Sequence, residues 1–240
     1  MIGVLLPHPV VASIQGAIEF IFTPQTSNVT GGKTVGGLEQ VIELTLTQLE
    51  LTVLALALSL IVALPIGLYL GHRGSGEPFA IVIGNLGRAI PELALIAFMA
   101  ALIGVGVLNL TIALAVLGVP PILANTFVGI HQVDRSTVEA ARGIGMIEFE
   151  ILRKVEIPLA IPTIFAGIRG ATIAIVATAT IAPIAGVLTL GDFIINQNVY
   201  GNNGVLAGAI VVALLALVLE FALAGIQRRL TSKGLKLEAA

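Results

Sequence analysis

The sequence contains no cysteine and no tryptophan, and only 11% of its 240 residues are charged. Without cysteine, the chain has no disulfide, no thiolate metal ligand and no cysteine nucleophile. Its three histidines, His8, His72 and His131, are too few for a histidine-rich metal cluster. The formal net charge of −2 gives no basic face for nucleic acid. Soluble domains carry roughly a quarter charged residues, so the composition argues against an ordinary soluble enzyme.

Long apolar runs take the place of charge. Hydrophobic residues make up 57% of the chain, and the mean hydropathy is +1.05. A helix needs about 20 apolar residues to cross the hydrocarbon core of a membrane. Five segments meet or approach this length and predict an all-α polytopic membrane protein: 47–70, 91–108, 110–130, 160–187 and 205–226.

The N-terminal 46 residues are predicted to form an extracytoplasmic or interfacial segment ahead of a membrane domain at 47–230. Residues 1–22 are apolar but are interrupted by prolines and polar side chains. They fit either an interfacial or outside-packed helix or a sixth span. Residues 231–240 are predicted to be a tail.

The basic residues predict the orientation of the chain. Ten of the 12 Lys and Arg lie in 71–89, in 132–159 and after residue 226, whereas the connections 103–109 and 188–203 hold none. Cytoplasmic loops of membrane proteins are enriched in Lys and Arg. We therefore expect 71–89, 132–159 and the C-terminus to be cytoplasmic, and the N-terminal region to be outside.

The loop 132–159 is the largest predicted cytoplasmic segment. Ser136 and Glu139 have the spacing of a capping box, which predicts a helix that begins at about Thr137 and ends near Gly143 or Gly145.

A second helix is predicted over 147–156, with Ile147, Ile151 and Val155 on one packed face. Pro158 and Pro162 then predict a break before the fourth span. Such a helix–glycine–helix unit suits a docking element, and it also suits an ordinary solvated connector.

One stretch of this loop carries a recognisable pattern. It reads Glu139-Ala140-Ala141, three residues, Gly145, nine residues and then Val155-Glu156-Ile157-Pro158. This pattern resembles the EAA motif of ABC-importer permeases. The resemblance implies the type I ABC importer permease fold, in which this loop forms a coupling helix that docks on a cytoplasmic ATPase. It implies a role in ATPase coupling for five residues: Glu139, Ala140, Ala141, Gly145 and Pro158.

Four further segments narrow the resemblance. They are AIPELAL at 89–95, LANTFVGI at 123–130, ILRKVEIPLAIP at 151–162 and GDFI at 191–194. They are similar to the osmoprotectant branch of these importers, whose members carry glycine betaine, choline, carnitine or proline betaine. The similarity covers about 44–230. Glu92 departs from it, because serine or another small polar residue is expected there. Its carboxylate fits either the cytoplasmic mouth of a pathway or a snorkelling residue at a helix end.

The resemblance implies a transport subunit and not an enzyme. Gly31-Gly32-Lys33-Thr34 lacks the upstream glycine of a phosphate-binding loop, because Ser27 stands there. We therefore expect no cofactor in this chain, with ATP and Mg bound by a partner ATPase dimer. The other implied partners are a second permease copy or paralogue, an extracytoplasmic substrate-binding protein and the lipid bilayer of the inner membrane, with no nucleic acid.

Two other functions stay open at this point. One is an ABC permease for a different small solute, such as an amino acid. The other is a secondary transporter driven by an ion gradient, although such carriers usually show two related halves. With no tryptophan and only Tyr69 and Tyr200, the chain is not expected to build a full aromatic cage for a quaternary ammonium group. Solute recognition is therefore expected in the binding protein, which the 188–203 connection is placed to meet.

The fourth span shows a run of small residues at every fourth position. They are Gly170, Ala174, Thr178, Ala182 and Gly186. Such a stripe lets another backbone approach closely. It is predicted either to line the pathway or subunit seam, or to pack inside one subunit.

Arg169 and Glu220 are the ionisable residues that the predicted spans place well inside the membrane. Charges at such depth are costly and are usually paired or face a cavity. We expect the two side chains to form a pair that fixes the fourth and fifth spans, in preference to a proton relay.

Overall fold

The computed structural model describes residues 12–231, apart from 28, 30 and 75. Residues 1–11 and nearly all of the predicted tail lie outside this part of the chain. The helices are α1 (Ile14–Phe22), α2 (Gly37–Arg73), α3 (Glu77–Ala89), α4 (Glu92–Ile103), α5 (Val107–His131), α6 (Arg135–Gly143), α7 (Glu148–Ile151), α8 (Ile157–Thr178), α9 (Gly191–Ile195) and α10 (Gln197–Leu230). A π-helical turn at Leu152–Glu156 precedes α8, and a 3-10 helix at Ala179–Ala185 follows it. The described strands are β1 (Gln25–Thr26) and β2 (Thr34–Val35), an antiparallel pair.

The described residues contain four helical stretches that are long and apolar enough to cross a membrane. These are Gly37–Arg73, Val107–His131, Glu148–Ala185 and Gln197–Leu230. They contain four of the five predicted spans almost completely. The first begins at Gly37, ten residues before the predicted start, because hydropathy marks the apolar part of a helix and not its end.

The second predicted span, 91–108, is wrong in its bounds. Residues 77–89, which the sequence analysis assigned to a cytoplasmic loop, form the 13-residue helix α3. Ile90 is extended with φ −77° and ψ 120°, as expected for a residue before proline, and α4 resumes after Pro91 for 12 residues. The second span is thus a pair of short helices with a break between them.

The turn before α5 also lies earlier than predicted. It is formed at Gly104 and Gly106, which both have positive φ. Asn109, where the sequence analysis placed the turn, lies in the first turn of α5 and donates its side-chain amide to the Gly104 carbonyl at 2.9 Å.

Small residues let the helices pack closely around α5. A Cβ at Gly67 or Gly71 of α2 would lie 2.7 Å from Thr126 or Ile130 of α5, respectively. Ala80 of α3 packs in a cluster with the C-terminal half of α5, and Ile96 of α4 in a cluster with its N-terminal half. The α3–α4 pair therefore runs antiparallel to α5.

The predicted break at Pro158 and Pro162 is also wrong, because the chain is helical from Glu148 to Ala185. Proline in a regular helix clashes with the carbonyl four residues earlier. Here the π-helical turn widens the helix just before Pro158, and the Ile157 N–H bonds five residues back to the Leu152 carbonyl. The surface segment therefore continues directly into α8.

Helix α1 is too short to cross a membrane within the described residues. Its nine residues span about 14 Å at ~1.5 Å per residue, against a hydrocarbon core of ~30 Å. It packs on α9 and α10, where the fully buried ring of Phe20 meets Phe193 and Tyr200 edge-on at 5.3 and 6.2 Å. Residues 14–22 of the N-terminal segment thus form a helix packed on the outside of the bundle.

Candidate functional site

Helix α6 begins at a different cap from the predicted one. Asp134 is the N-cap, and its carboxylate accepts hydrogen bonds from the Ser136 hydroxyl at 2.7 Å and the Ser136 N–H at 2.9 Å. Both bonds favour the charged form and hold the pKa of Asp134 below its usual range. The predicted capping box of Ser136 and Glu139 is therefore wrong. Glu139 is exposed and has no part in the cap.

Gly145 ends α6 in a Schellman motif. Its N–H bonds to the Arg142 carbonyl at 3.0 Å, and the Met146 N–H bonds to the Ala141 carbonyl at 3.2 Å. The φ of Gly145 is +89°, a left-handed conformation that favours glycine. A Cβ here would meet nothing within 4 Å, so the backbone conformation, and not packing, requires the glycine.

The two alanines of the motif face different surroundings. Ala140 is exposed, whereas Ala141 is buried against its own chain. Beside Ala140, three apolar side chains project from the surface: Ile144 is 82% exposed, and Ile147 and Phe149 are each 65% exposed. The prediction that Ile147 lies on the packed face of the second helix is wrong. Ile147 precedes that helix as its N-cap residue.

Charged side chains connect α6 to the membrane helices. Arg142 donates to both oxygens of Glu148, from Nε at 3.0 Å and from Nη2 at 3.1 Å. Glu148 also lies 3.4 Å from Nε2 of His72, at the end of α2. Nδ1 of His72 lies 2.6 Å from Oε2 of Glu156, which is buried in the π-helical turn. These side chains thereby connect α6 to α2 and to the start of α8. This role of His72 leaves no signal in the sequence, because its partners are 76 and 84 positions away.

Arg169 of α8 and Glu220 of α10 lie together. Arg169 Nε donates to Glu220 Oε1 at 2.8 Å, and its Nη2 contacts the same oxygen. Arg169 Nη1 also donates to the side chain of Gln227 at 3.1 Å. The guanidinium therefore joins the last helix to α8 at two points.

The small residues of the fourth span do not form one continuous face. Gly170 is exposed and Ala174 half-buried, whereas Thr178 and Ala182 are buried. Gly186 is exposed in the left-handed turn that ends the 3-10 helix. A spacing of four stops following one face once the helix narrows to three residues per turn at Ala179.

Gly170 and Ala174 line a groove between α3, α5 and α8 with a volume of about 420 Å³. Its polar lining comes from Asn85 of α3 and Asn125 of α5. Within the described residues, therefore, Gly170 and Ala174 face an open groove, whereas Thr178 and Ala182 pack inside the subunit.

Glu92 lies beyond this groove, at the break between α3 and α4. Its Oε2 accepts a hydrogen bond from the Thr178 hydroxyl at 2.7 Å. Glu92 is the first residue of α4, so it lies at a helix end, and the 13 residues of α3 come before it in the chain.

The family assignment follows from comparison with known proteins. Residues 63–232 match the family described as binding-protein-dependent transport system inner membrane component. The chain belongs to this family. The resemblance of the EAA-type loop and the membrane fold predicted from it are confirmed.

Curated relatives narrow the comparison. The chain is 41% identical over 189 residues to the glycine betaine/carnitine/choline transport system permease protein OpuCB of Bacillus subtilis, covering 78% of this chain and 87% of OpuCB. It is 39% identical over 193 residues to the choline transport system permease protein OpuBB of the same organism, covering 80% of this chain and 89% of OpuBB. These homologues are permease subunits of osmoprotectant importers.

Solved structures share the fold. An inward-facing structure of the MetNI methionine ABC transporter matches with a TM-score of 0.69 at 22% identity, covering 81% of this chain and 98% of the matched chain. At this identity the likeness establishes the type I permease fold and nothing further.

Proposed function

We propose that this binding-protein-dependent permease is the membrane subunit of an ATP-driven importer for a quaternary ammonium solute such as glycine betaine, choline or carnitine. The relatives named for these solutes cover most of the chain and support the solute class. The observation that carries the mechanism is the connection of α6 to α2 and α8 through Arg142, Glu148, His72 and Glu156.

The ATPase dimer docks on the face formed by α6 and the turn after it. Glu139 and Ala140 are exposed there, and Ile144, Ile147 and Phe149 add an apolar surface that a partner can cover. Gly145 and Ala141 support this face from within: the first ends α6, and the second packs against the chain. Pro158 acts indirectly, at the point where the π-helical turn joins this unit to α8.

Closure of the ATPase dimer around ATP and Mg displaces α6 and, through the side chains described above, tilts α2 and α8 together. A second copy of the permease, or a paralogue, lies against the face that carries the groove. Rocking of the two permeases then exposes the pathway between them alternately to either side of the membrane. The Arg169–Glu220 pair keeps α10 attached to α8 during this movement.

The distribution of basic residues supports a cytoplasmic location for the α6 face and the C-terminus, where ATP is available. A loaded binding protein then delivers solute from the opposite side. Asp192, within the 188–203 connection, is buried and hydrogen-bonded to Tyr200 at 2.5 Å. It therefore stabilises this surface and does not itself contact the binding protein.

The test is uptake of labelled glycine betaine, choline and carnitine into proteoliposomes. The complete system contains the permease, its ATPase, the binding protein and internal ATP, and each component is omitted in turn. We expect uptake only from the complete system. Saturable uptake by the permease alone, or uptake driven by a sodium or proton gradient, would contradict the proposal.

The coupling face is tested with Ala140→Trp, and Ala140→Ser serves as the matched control. Ala140 is exposed on a regular helix, so tryptophan fits in the isolated permease and obstructs only an assembled ATPase. We expect Ala140→Trp to insert normally but to lose ATPase binding in a pull-down, and Ala140→Ser to retain it. Full ATPase binding by the tryptophan variant would place the interface elsewhere.

A further inference from the structure

Glu92 lies near the middle of the membrane domain. A Cβ at Gly87, five residues before it, would lie 2.5 Å from Pro120 of α5, and Ile96, four residues after it, packs in a cluster with Leu114 of α5. Glu92 therefore lies between the levels of Pro120 and Leu114, close to the midpoint of the 25-residue helix α5.

Two features of the structure lie next to the Glu92 carboxylate. The Thr178 hydroxyl donates to Oε2, and the carboxylate lies in the first turn of α4, where the helix dipole stabilises anions. Among the side chains that the structure describes, no Lys, Arg or His lies within ion-pair distance of Glu92. The carboxylate thus has a hydrogen-bond donor but no described countercharge.

Glu92 is also exposed at the surface of the single chain, and Asn85 is exposed on the preceding helix. Charged groups in transmembrane segments almost always face the bundle interior or a water-filled cavity and not lipid. The groove lined by Gly170 and Ala174 lies along the same helix as Thr178, one to two turns before it. Glu92 therefore belongs to the polar face that the second permease covers and the solute passes.

We propose that the Glu92 carboxylate contacts the cationic head group of the solute as it crosses the middle of the membrane, and that it makes the pathway favour solutes of net positive charge. This inference rests on the proposed function. A quaternary ammonium group provides a positive charge without a hydrogen bond, because it has no N–H to donate. Choline carries only this charge. Glycine betaine also carries a carboxylate, which Glu92 repels.

The test compares choline and glycine betaine uptake by the complete proteoliposome system carrying Glu92→Gln. Removal of the carboxylate raises the free energy of a cation on the pathway, so we expect the maximal rate of choline uptake to fall at least about tenfold. The rate for glycine betaine should change by less than about threefold, because its own carboxylate no longer meets a like charge. The half-saturating concentrations should stay unchanged, because the binding protein sets them.

Three controls separate a pathway role from a structural one. Glu92→Asp should retain most of the choline rate, and Glu39→Gln, at an exposed carboxylate of α2, should behave like wild type. Stimulation of ATP hydrolysis by the binding protein should persist in Glu92→Gln, which shows that the variant is folded and coupled. Wild-type protein that transports neither solute would refute the proposed function itself, before Glu92 is tested.

Two outcomes would overturn the inference while leaving the proposed function in place. The first is an equal loss, or no loss, of choline and glycine betaine uptake in Glu92→Gln. The second is recovery of choline uptake in the double variant Arg88→Gln/Glu92→Gln, which would show that Glu92 serves as a partner for the nearest basic residue in the sequence.

Discussion

Replacing Gly145 with valine tests whether the turn after α6 positions the coupling face. Gly145 has φ +89°, and the left-handed region costs an L-residue about 1–2 kcal/mol, with β-branched residues the least tolerant. No steric clash adds to this cost, because a Cβ at this position meets nothing within 4 Å. The exposed Arg142–Glu148 pair at this end of α6 does not compensate for the loss, because such pairs contribute at most about 1 kcal/mol. A loss of 1–2 kcal/mol therefore lowers the ratio of ordered to frayed α6 by roughly 5–30-fold.

Hydrogen exchange of the amides over 135–146 in the reconstituted permease measures this ratio directly. We expect exchange in Gly145→Val to accelerate by roughly 5–30-fold, while Gly145→Asn stays close to wild type because asparagine tolerates the left-handed region. ATP-driven uptake should follow the same order. If Gly145→Val exchanges at the wild-type rate but loses uptake, the explanation from backbone conformation is refuted. Gly145 would then act by direct contact with the ATPase.

Two further substitutions test the membrane-embedded contacts by thermal unfolding in detergent. Arg169→Met leaves Glu220 without its partner and should lower the free energy of unfolding by roughly 1.5–3 kcal/mol, and Glu220→Met in the same chain should recover most of this loss. If the double variant is no more stable than Arg169→Met alone, the two side chains do not interact as described. Gly118→Ala should destabilise by about 1–3 kcal/mol, because its Cβ overlaps Ser59 Oγ, whereas Gly170→Ala faces open space and should stabilise by up to ~1 kcal/mol. Equal effects at the two glycines would show that the packing of α2 on α5 is looser than described.

The apolar segments could be predicted from the sequence because a span in lipid must be almost uniformly apolar. The prediction of spans from apolar runs is wrong at α3. Glu77 and Asn85 interrupt the apolar run there, so this helix resembles a charged loop in the sequence. Glu77 is the first residue of α3, and Asn85 lines the groove between α3, α5 and α8.

The local signals in the 132–159 loop were also ambiguous for physical reasons. Asp134 and Ser136 are both good N-caps, and spacing alone does not decide between them. Proline normally ends a helix, and only the three-dimensional structure reveals the π-helical turn that accommodates Pro158. Contacts between residues far apart in the sequence, such as His72 with Glu156, leave no periodic signal at all.

The continuous helix from Glu148 to Ala185 has a mechanical consequence. Thr178 lies 30 residues beyond Glu148, a distance of about 45 Å along the axis at ~1.5 Å per residue. If the helix turns as a rigid rod about its Glu148 end, a tilt of only about 5° moves Thr178 sideways by about 4 Å, which is enough to separate its hydroxyl from the Glu92 carboxylate. A small rotation at the Glu148 end would thus alter the hydrogen bonding of a distant carboxylate. The length of one helix would convert a small rotation into this displacement, without any hinge between Glu148 and Thr178.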